Sequence, residues 1–290
     1  MTPTDREVLP KAFFLPSGGT DHDESQRFCL FHSPQGAPRG RVLYLHPFAE
    51  ELNTTRRVVA QQARAMARAG YAVLQIDLLG CGDSSGDFAE ATWSDWLNDA
   101  QLALGWLNSK SDGPLWLWGL RSGTLLATAL LSRLSQPANL LLWQPVVSGP
   151  QVLQQFLRLH AASQWLGSQK ADGPTPAQRL AQGQTVDVAG YTIGPELAGG
   201  LADARLQPFD GGTAGRIVWL ELSTQSDVAL SPAGQSELRR WHAAHWEVDA
   251  RSVAGPAFWQ TVSADEAPNL ISTTLAAMVD QHASQLRVAP

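Results

Sequence analysis

The chain has 290 residues, of which 44% are hydrophobic and 17% charged, and a net charge of −6. That length and balance suit one large domain with a substantial core and room for an insertion. Scattered Lys and Arg in an acidic chain leave no footprint for nucleic acid, and no apolar run approaches the ~20 residues needed to cross a bilayer.

Two cysteines, Cys29 and Cys81, lack CxxC spacing and point to a reducing compartment rather than a disulfide framework. The opening MTPTDREVLPKAFF has neither the basic start nor the apolar run of a signal peptide, so a cytoplasmic protein is expected. Eleven tryptophans are expected mostly in core or pocket walls.

Short apolar runs alternate with amphipathic stretches, the pattern of an α/β protein with a mostly parallel central sheet covered by helices on both faces. Lys11–Leu15 and Arg27–His32 read as an opening hairpin, and Arg41–His46 as a buried strand. Thr54–Ala69 reads as a helix closed by Gly70. Tyr71–Leu78 is the next strand, followed by the turn-rich GCGDSSGD. Thr92–Leu107 is a helix whose entry offers the capping oxygens of Thr92 and Asp95. Pro114–Trp118, Gly123–Leu134 and Ala138–Trp143 read as strand, helix and strand.

The rhythm then breaks. Helical pieces at Gln151–Leu166 and Pro176–Gln182 and a hairpin at Val186–Ile193 form no βα unit, so residues 146–215 are expected to be an inserted cap over a core of 1–145 and 216–290. Arg216–Leu222, Pro232–Ala244, Trp246–Arg251 and a helix near Leu270–Leu286 restore the alternation.

The chemistry centres on Gly119-Leu120-Arg121-Ser122-Gly123, between a strand and a helix. In the α/β-hydrolase fold this corner is G-x-S-x-G, a strained turn that presents a nucleophile beside an oxyanion hole. Both glycines are present, but Arg121 stands at the nucleophile position, and a guanidinium has no lone pair to offer a carbonyl. Ser122, a weak candidate nucleophile, is expected to cap the helix or bond locally. Asp227 stands where the acid of a Ser-Asp-His triad belongs. Ala257 stands where the histidine belongs, while His242 and His245 precede the last strand, at the wrong end of the sheet.

The loop after the first buried strand, His46-Pro47-Phe48-Ala49-Glu50-Glu51, occupies the oxyanion-loop place, with His46 expected to be structural. A cation before a helix N-terminus opposes the helix field, so Arg121 is expected either to pair with Glu50, Glu51 or Asp227 or to await an anion. The expected ligand pocket is Arg121, His46, Phe48, Glu50, Glu51, Asp227 and Trp143, the last as a wall. No cofactor is implied. Gly80–Gly86 spaces its glycines wrongly for a dinucleotide fingerprint, Asp83 and Asp87 lack calcium-loop spacing, and no His/Cys/carboxylate cluster has zinc spacing.

Three segments, LHPFAEELNTTRR, WGLRSGTLLA and LLLWQPVVSGPQVLQQFLRL, resemble the exosortase A system-associated hydrolases of the second type, α/β-hydrolase-fold proteins of bacterial clusters for exopolysaccharide production and PEP-CTERM protein sorting. The resemblance runs over nearly the whole chain, weakest in the cap and at the termini, and H-P-F-A-E-E is its most specific block. It implies a hydrolase by fold, with arginine in the elbow usual, and a partner from the polysaccharide or sorting system.

Three functions follow. The first is a homologue without a working triad that binds an anionic or polar small molecule, or a partner segment, at the elbow. The second is an ester or thioester hydrolase using Ser122 or Cys81 with His46 as base. The third is a structural partner with a vestigial pocket.

Overall fold

The computed structural model describes residues 9–18, 25–166, 173–208, 215–225, 228–260 and 266–285. An antiparallel hairpin, β1 (Lys11–Pro16) and β2 (Gln26–His32), opens the chain. It is followed by β3 (Gly40–Leu45), α1 (Glu50–Arg68), β4 (Tyr71–Ile76), α2 (Trp93–Asn108), β5 (Leu115–Leu120), α3 (Gly123–Leu131) and β6 (Asn139–Trp143). Then come α4 (Gly149–Leu166), α5 (Pro176–Ala181), a small hairpin of β7 (Val186–Val188) and β8 (Tyr191–Ile193), and α6 (Pro195–Asp203). The chain ends with β9 (Arg216–Ser223), α7 (Pro232–Ala243), β10 (Glu247–Ala254) and α8 (Pro268–Gln285).

Eight strands form one sheet in the order β1-β2-β4-β3-β5-β6-β9-β10, parallel from β4 onward. This is the mostly parallel, doubly covered α/β architecture that the alternation predicts. The described residues between β6 and β9 add no strand to it, although β6 and β9 are direct neighbours.

Strand alternation divides the core into two layers. Val42, Tyr44, Trp116, Trp118, Leu141, Trp143, Val218 and Leu220 face α1 and α8, where Val58, Val59, Met66, Leu270 and Met278 meet them. Their intervening neighbours Leu43, Leu45, Leu117, Leu140, Leu142 and Trp219 face α2 and α3.

Most boundaries fall within a few residues of those predicted, but α1 starts four residues before Thr54. The reason is that Glu50 and Glu51 supply an acidic first turn that complements the helix dipole. Helix α6, unforeseen because Gly199 and Gly200 depress helix propensity, packs Gly200 closely on Trp93. At α2, Thr92 and Asp95 form a reciprocal capping box.

Among the described residues, no helix is long and apolar enough to cross a membrane. No group of three or more His, Cys, Asp or Glu among them is placed to hold a metal ion.

Candidate functional site

The elbow forms as the glycines require. A Cβ on Gly123 would run into the Leu45 and His46 carbonyl oxygens, and one on Gly119 into the Thr124 backbone. Only glycine lets α3 and β3 approach this closely. Arg121, between them, has φ 54°, the left-handed corner that in this fold lifts a side chain above the sheet. Its N–H donates to the Trp143 carbonyl at 3.0 Å, and its own carbonyl accepts from Thr124 Oγ1 at 2.6 Å.

The guanidinium is not free. Its Nε donates to Glu51 Oε1 and Oε2 at 3.2 and 3.3 Å, and Nη2 to Oε1 at 3.2 Å. The two side chains are 17% and 21% exposed. Burial raises the Glu51 carboxyl, and Arg121 opposes that shift. The Trp259 ring lies 5.3 Å from the guanidinium carbon, adding a cation–π contact. Of the three carboxylates expected as partners, Glu51 takes Arg121, and Asp227 lies outside the described residues. The anion expected to meet a waiting guanidinium is therefore replaced by one from the chain itself.

Ser122 differs from expectation. It makes no cap bond to α3. Instead its Oγ accepts the Phe48 N–H at 2.8 Å, in the loop between β3 and α1. A backbone N–H from that loop is half of the oxyanion hole in this fold, so a serine hydroxyl occupies a donor that acyl transfer needs. His46 is buried. Its Nδ1–H donates to the Pro47 carbonyl at 2.8 Å, and its Nε2 accepts the Leu78 N–H at 3.3 Å. Both nitrogens are committed and burial lowers its pKa, so it is a neutral structural imidazole, neither a pocket residue nor a base.

Cys81 is no better placed as a nucleophile. It is buried and its thiol is pushed up, first by burial and then by Asp77. Cys29, also buried, is pushed up to about 12 for the same reasons. A thiol so shifted is inert at neutral pH.

A cavity of about 370 Å³ opens at the elbow, lined by Phe48, Glu50, Glu51, Arg121 and Ser122 from the predicted set or its neighbours. Trp143, expected as a wall, does not reach it. Trp143 shares strand parity with Leu141 and points into the opposite layer, where Nε1 donates to Thr274 Oγ1 at 3.0 Å.

Several lining residues have signals that sequence reasoning passed over. Val152, Gln155, Phe156 and Leu159 fall at i, i+3, i+4 and i+7 on α4, one helical stripe. Phe156 sits edge-on to Phe48 at 5.0 Å. Gln144 follows β6 with φ 42°, and its Oε1 accepts the Leu222 N–H at 2.6 Å.

After β10, Ala257 begins a turn closed by the Gln260 N–H on its carbonyl at 2.9 Å. The turn brings Trp259 and Gln260 to the cleft. Thr54 Oγ1 donates to the Trp259 carbonyl at 3.1 Å and ties this turn to α1. Position 257, where a triad histidine would stand, carries no group that can take a proton.

Comparison with known proteins identifies the fold and family in which this site sits. A family profile described as serine aminopeptidase, S33, matches residues 36–186, just over half of the chain. Lysophosphatidylserine lipase ABHD12 of Gallus gallus is 32% identical over 143 residues, 48% of this chain and 35% of that protein. The Xenopus tropicalis protein of the same name is 35% identical over 109 residues, 36% of this chain and 27% of its own. The chain thus matches between 27% and 35% of the length of these relatives.

Among solved structures, Est1E from Butyrivibrio proteoclasticus with bound ferulic acid superposes with a TM-score of 0.64. The two share 16% identity over 91% of this chain and 98% of that one. A soluble variant of monoglyceride lipase from Saccharomyces cerevisiae, in complex with a substrate analog, gives 0.58 at 15% identity, covering 94% of each chain. These likenesses establish the fold, and the profile match establishes kinship: the chain is an α/β-hydrolase-fold protein and belongs to the serine aminopeptidase S33 family.

Proposed function

We propose that this protein is a homologue without acyl-transfer chemistry, whose elbow cleft binds a polar small molecule. The observation that carries the reading is the ion-paired guanidinium of Arg121 at the corner where the fold presents its attacking oxygen. Three further features support it: the Phe48 N–H held by Ser122, His46 closed on backbone partners, and Ala257 in place of a base. Residues 146–215 act as a cap, with α4 laying its stripe over the cleft. The setting is the exosortase and exopolysaccharide system to which the sequence bears resemblance.

The cleft's own charge argues against an anion as ligand. Its lining carries two carboxyl groups, Glu50 and Glu51, and one guanidinium, Arg121, a balance tilted to the acidic side.

The test is incubation with a fluorophosphonate probe and short acyl nitrophenyl esters. Neither the wild type nor Arg121→Ser should be labelled or turn over ester, since restoring a hydroxyl supplies no base. Labelling of the wild type that disappears in Ser122→Ala would overturn the proposal.

A further inference from the structure

The lining of the elbow cavity is unequal in its partnering. Arg121 gives three hydrogen bonds to Glu51 and stacks on Trp259, so its charge and orientation are committed. Glu50 is different. It lines the same cavity, its Oε2 is buried with no hydrogen-bond partner, and no ion pair reaches it among the described residues. The next cations along α1 are spent elsewhere: Arg56 on Asp77 at 3.0 Å and Arg57 on Glu266 at 2.9 Å.

Glu50 opens α1, yet none of the backbone N–H groups of that first turn reaches its Oε2. That oxygen is itself closed to water, so what Glu50 offers the cavity is a carboxyl group with no cation paired to it among the described residues, and the donor that suits a carboxylate best is charged.

The rest of the cavity completes the description of the occupant. Gln144, Gln155 and Gln260 bring amides, and Gln144 has its oxygen engaged already, leaving its NH₂. One side is apolar, built from Val146, Val152, Phe156 and Leu159. The volume, about 370 Å³, is near the lower end of small-molecule sites.

Building on the proposed binding function, we infer that the cavity takes an amphipathic amine, its ammonium group on Glu50 and its apolar body against the α4 stripe. Glu51 serves a different purpose, holding Arg121. The two adjacent carboxylates therefore divide the work: one neutralises the corner and the other reads the ligand. A carboxylate or phosphate ligand would meet Glu50 with like charge and find Arg121 already occupied.

Isothermal titration of the full chain with three probes of one shape tests this: hexylamine, 1-hexanol and hexanoate. Hexylamine is expected to bind at least tenfold more tightly than 1-hexanol, with hexanoate weakest. In Glu50→Gln, which keeps size and removes charge, the amine's advantage should fall to within threefold of the alcohol. If that variant does not fold, the wild-type ranking alone decides. Hexanoate binding as tightly as hexylamine, an amine preference that survives Glu50→Gln, or no binding of any probe overturns the inference. Alcohol or carboxylate binding independent of Glu50 would do so while leaving the binding-cleft function intact. Fluorophosphonate labelling would end that function without touching the amine ranking.

Discussion

Removing Glu51 should expose how strongly the corner depends on it. An exposed ion pair is worth ~0–1 kcal/mol, whereas stranding one member of a fully buried pair costs ~3–5 kcal/mol. With side chains 17% and 21% exposed and three hydrogen bonds between them, this pair falls in between. Glu51→Ala leaves the guanidinium at a helix N-terminus without its hydrogen-bonded carboxylate, stacked on the Trp259 ring. A loss of about 2 kcal/mol is expected, or ~4–8 °C in Tm for a domain of this size.

Arg121→Ala should cost less. Burial already raises the Glu51 carboxyl, and without its cation that group can neutralise itself by taking a proton. The double variant should then be more stable than the sum of the single losses predicts, by at least ~1 kcal/mol. Urea unfolding of the four proteins measures the coupling. Additivity within ~0.5 kcal/mol would mean that the pair holds nothing and that the compensation argument for Arg121 is wrong.

Acid should weaken the fold through its neutral histidines. Burial and nearby Arg64 push His32 down to about 4, and burial lowers His46. A depressed histidine adds stability that is complete above the unfolded value of ~6.5 and lost as pH falls toward the folded one. For His32 alone the loss is at most roughly 3 kcal/mol. Tm should therefore fall between pH 6.5 and 4, less steeply in His32→Leu, and equal slopes for the two proteins would refute the assignment. Two glycines should respond oppositely to alanine. Gly123→Ala drives a Cβ into the backbone of β3 and should cost ~1–3 kcal/mol or more, whereas Gly105→Ala, in α2 with nothing within 4 Å, should gain about 0.5–1 kcal/mol. Thermal melts of both variants check the signs.

The sheet was legible because its central strands, buried on both faces, stand out as short continuous apolar runs, and the elbow because its two glycines answer a backbone contact that no other residue allows. Trp143 was misjudged although strand alternation holds the answer. Two residues beyond Leu141, it must share that residue's face and turn away from the elbow. The α4 wall was equally readable as a helical stripe in QVLQQFLRL. Ser122 was not readable. Its partner, the Phe48 N–H, lies 74 positions away, and nothing local distinguishes a hydroxyl that caps its own helix from one that reaches across to another loop. The orphaned Glu50 oxygen is invisible for a similar reason, because adjacent glutamates at a helix start look like a solvated pair until the cavity assigns them different neighbours.

Backbone strain bears on whether the cleft is a relic. Five non-glycine residues among those described have positive φ, and three of them, Ala49, Arg121 and Gln144, follow β3, β5 and β6 at one end of the sheet. Arg121 and Gln144 line the cavity, and Ala49 sits between its lining residues Phe48 and Glu50. Each left-handed non-glycine residue costs about 1–3 kcal/mol, a burden that surrounding structure must offset. A loop end that merely closed a sheet could relax or take glycine at these points. Here the strained positions instead carry a guanidinium, an amide and the residue that starts the acidic helix. The conformation that in this fold presents a nucleophile here aims polar groups of a different kind at one cavity, which favours a binding cleft over a vestigial one.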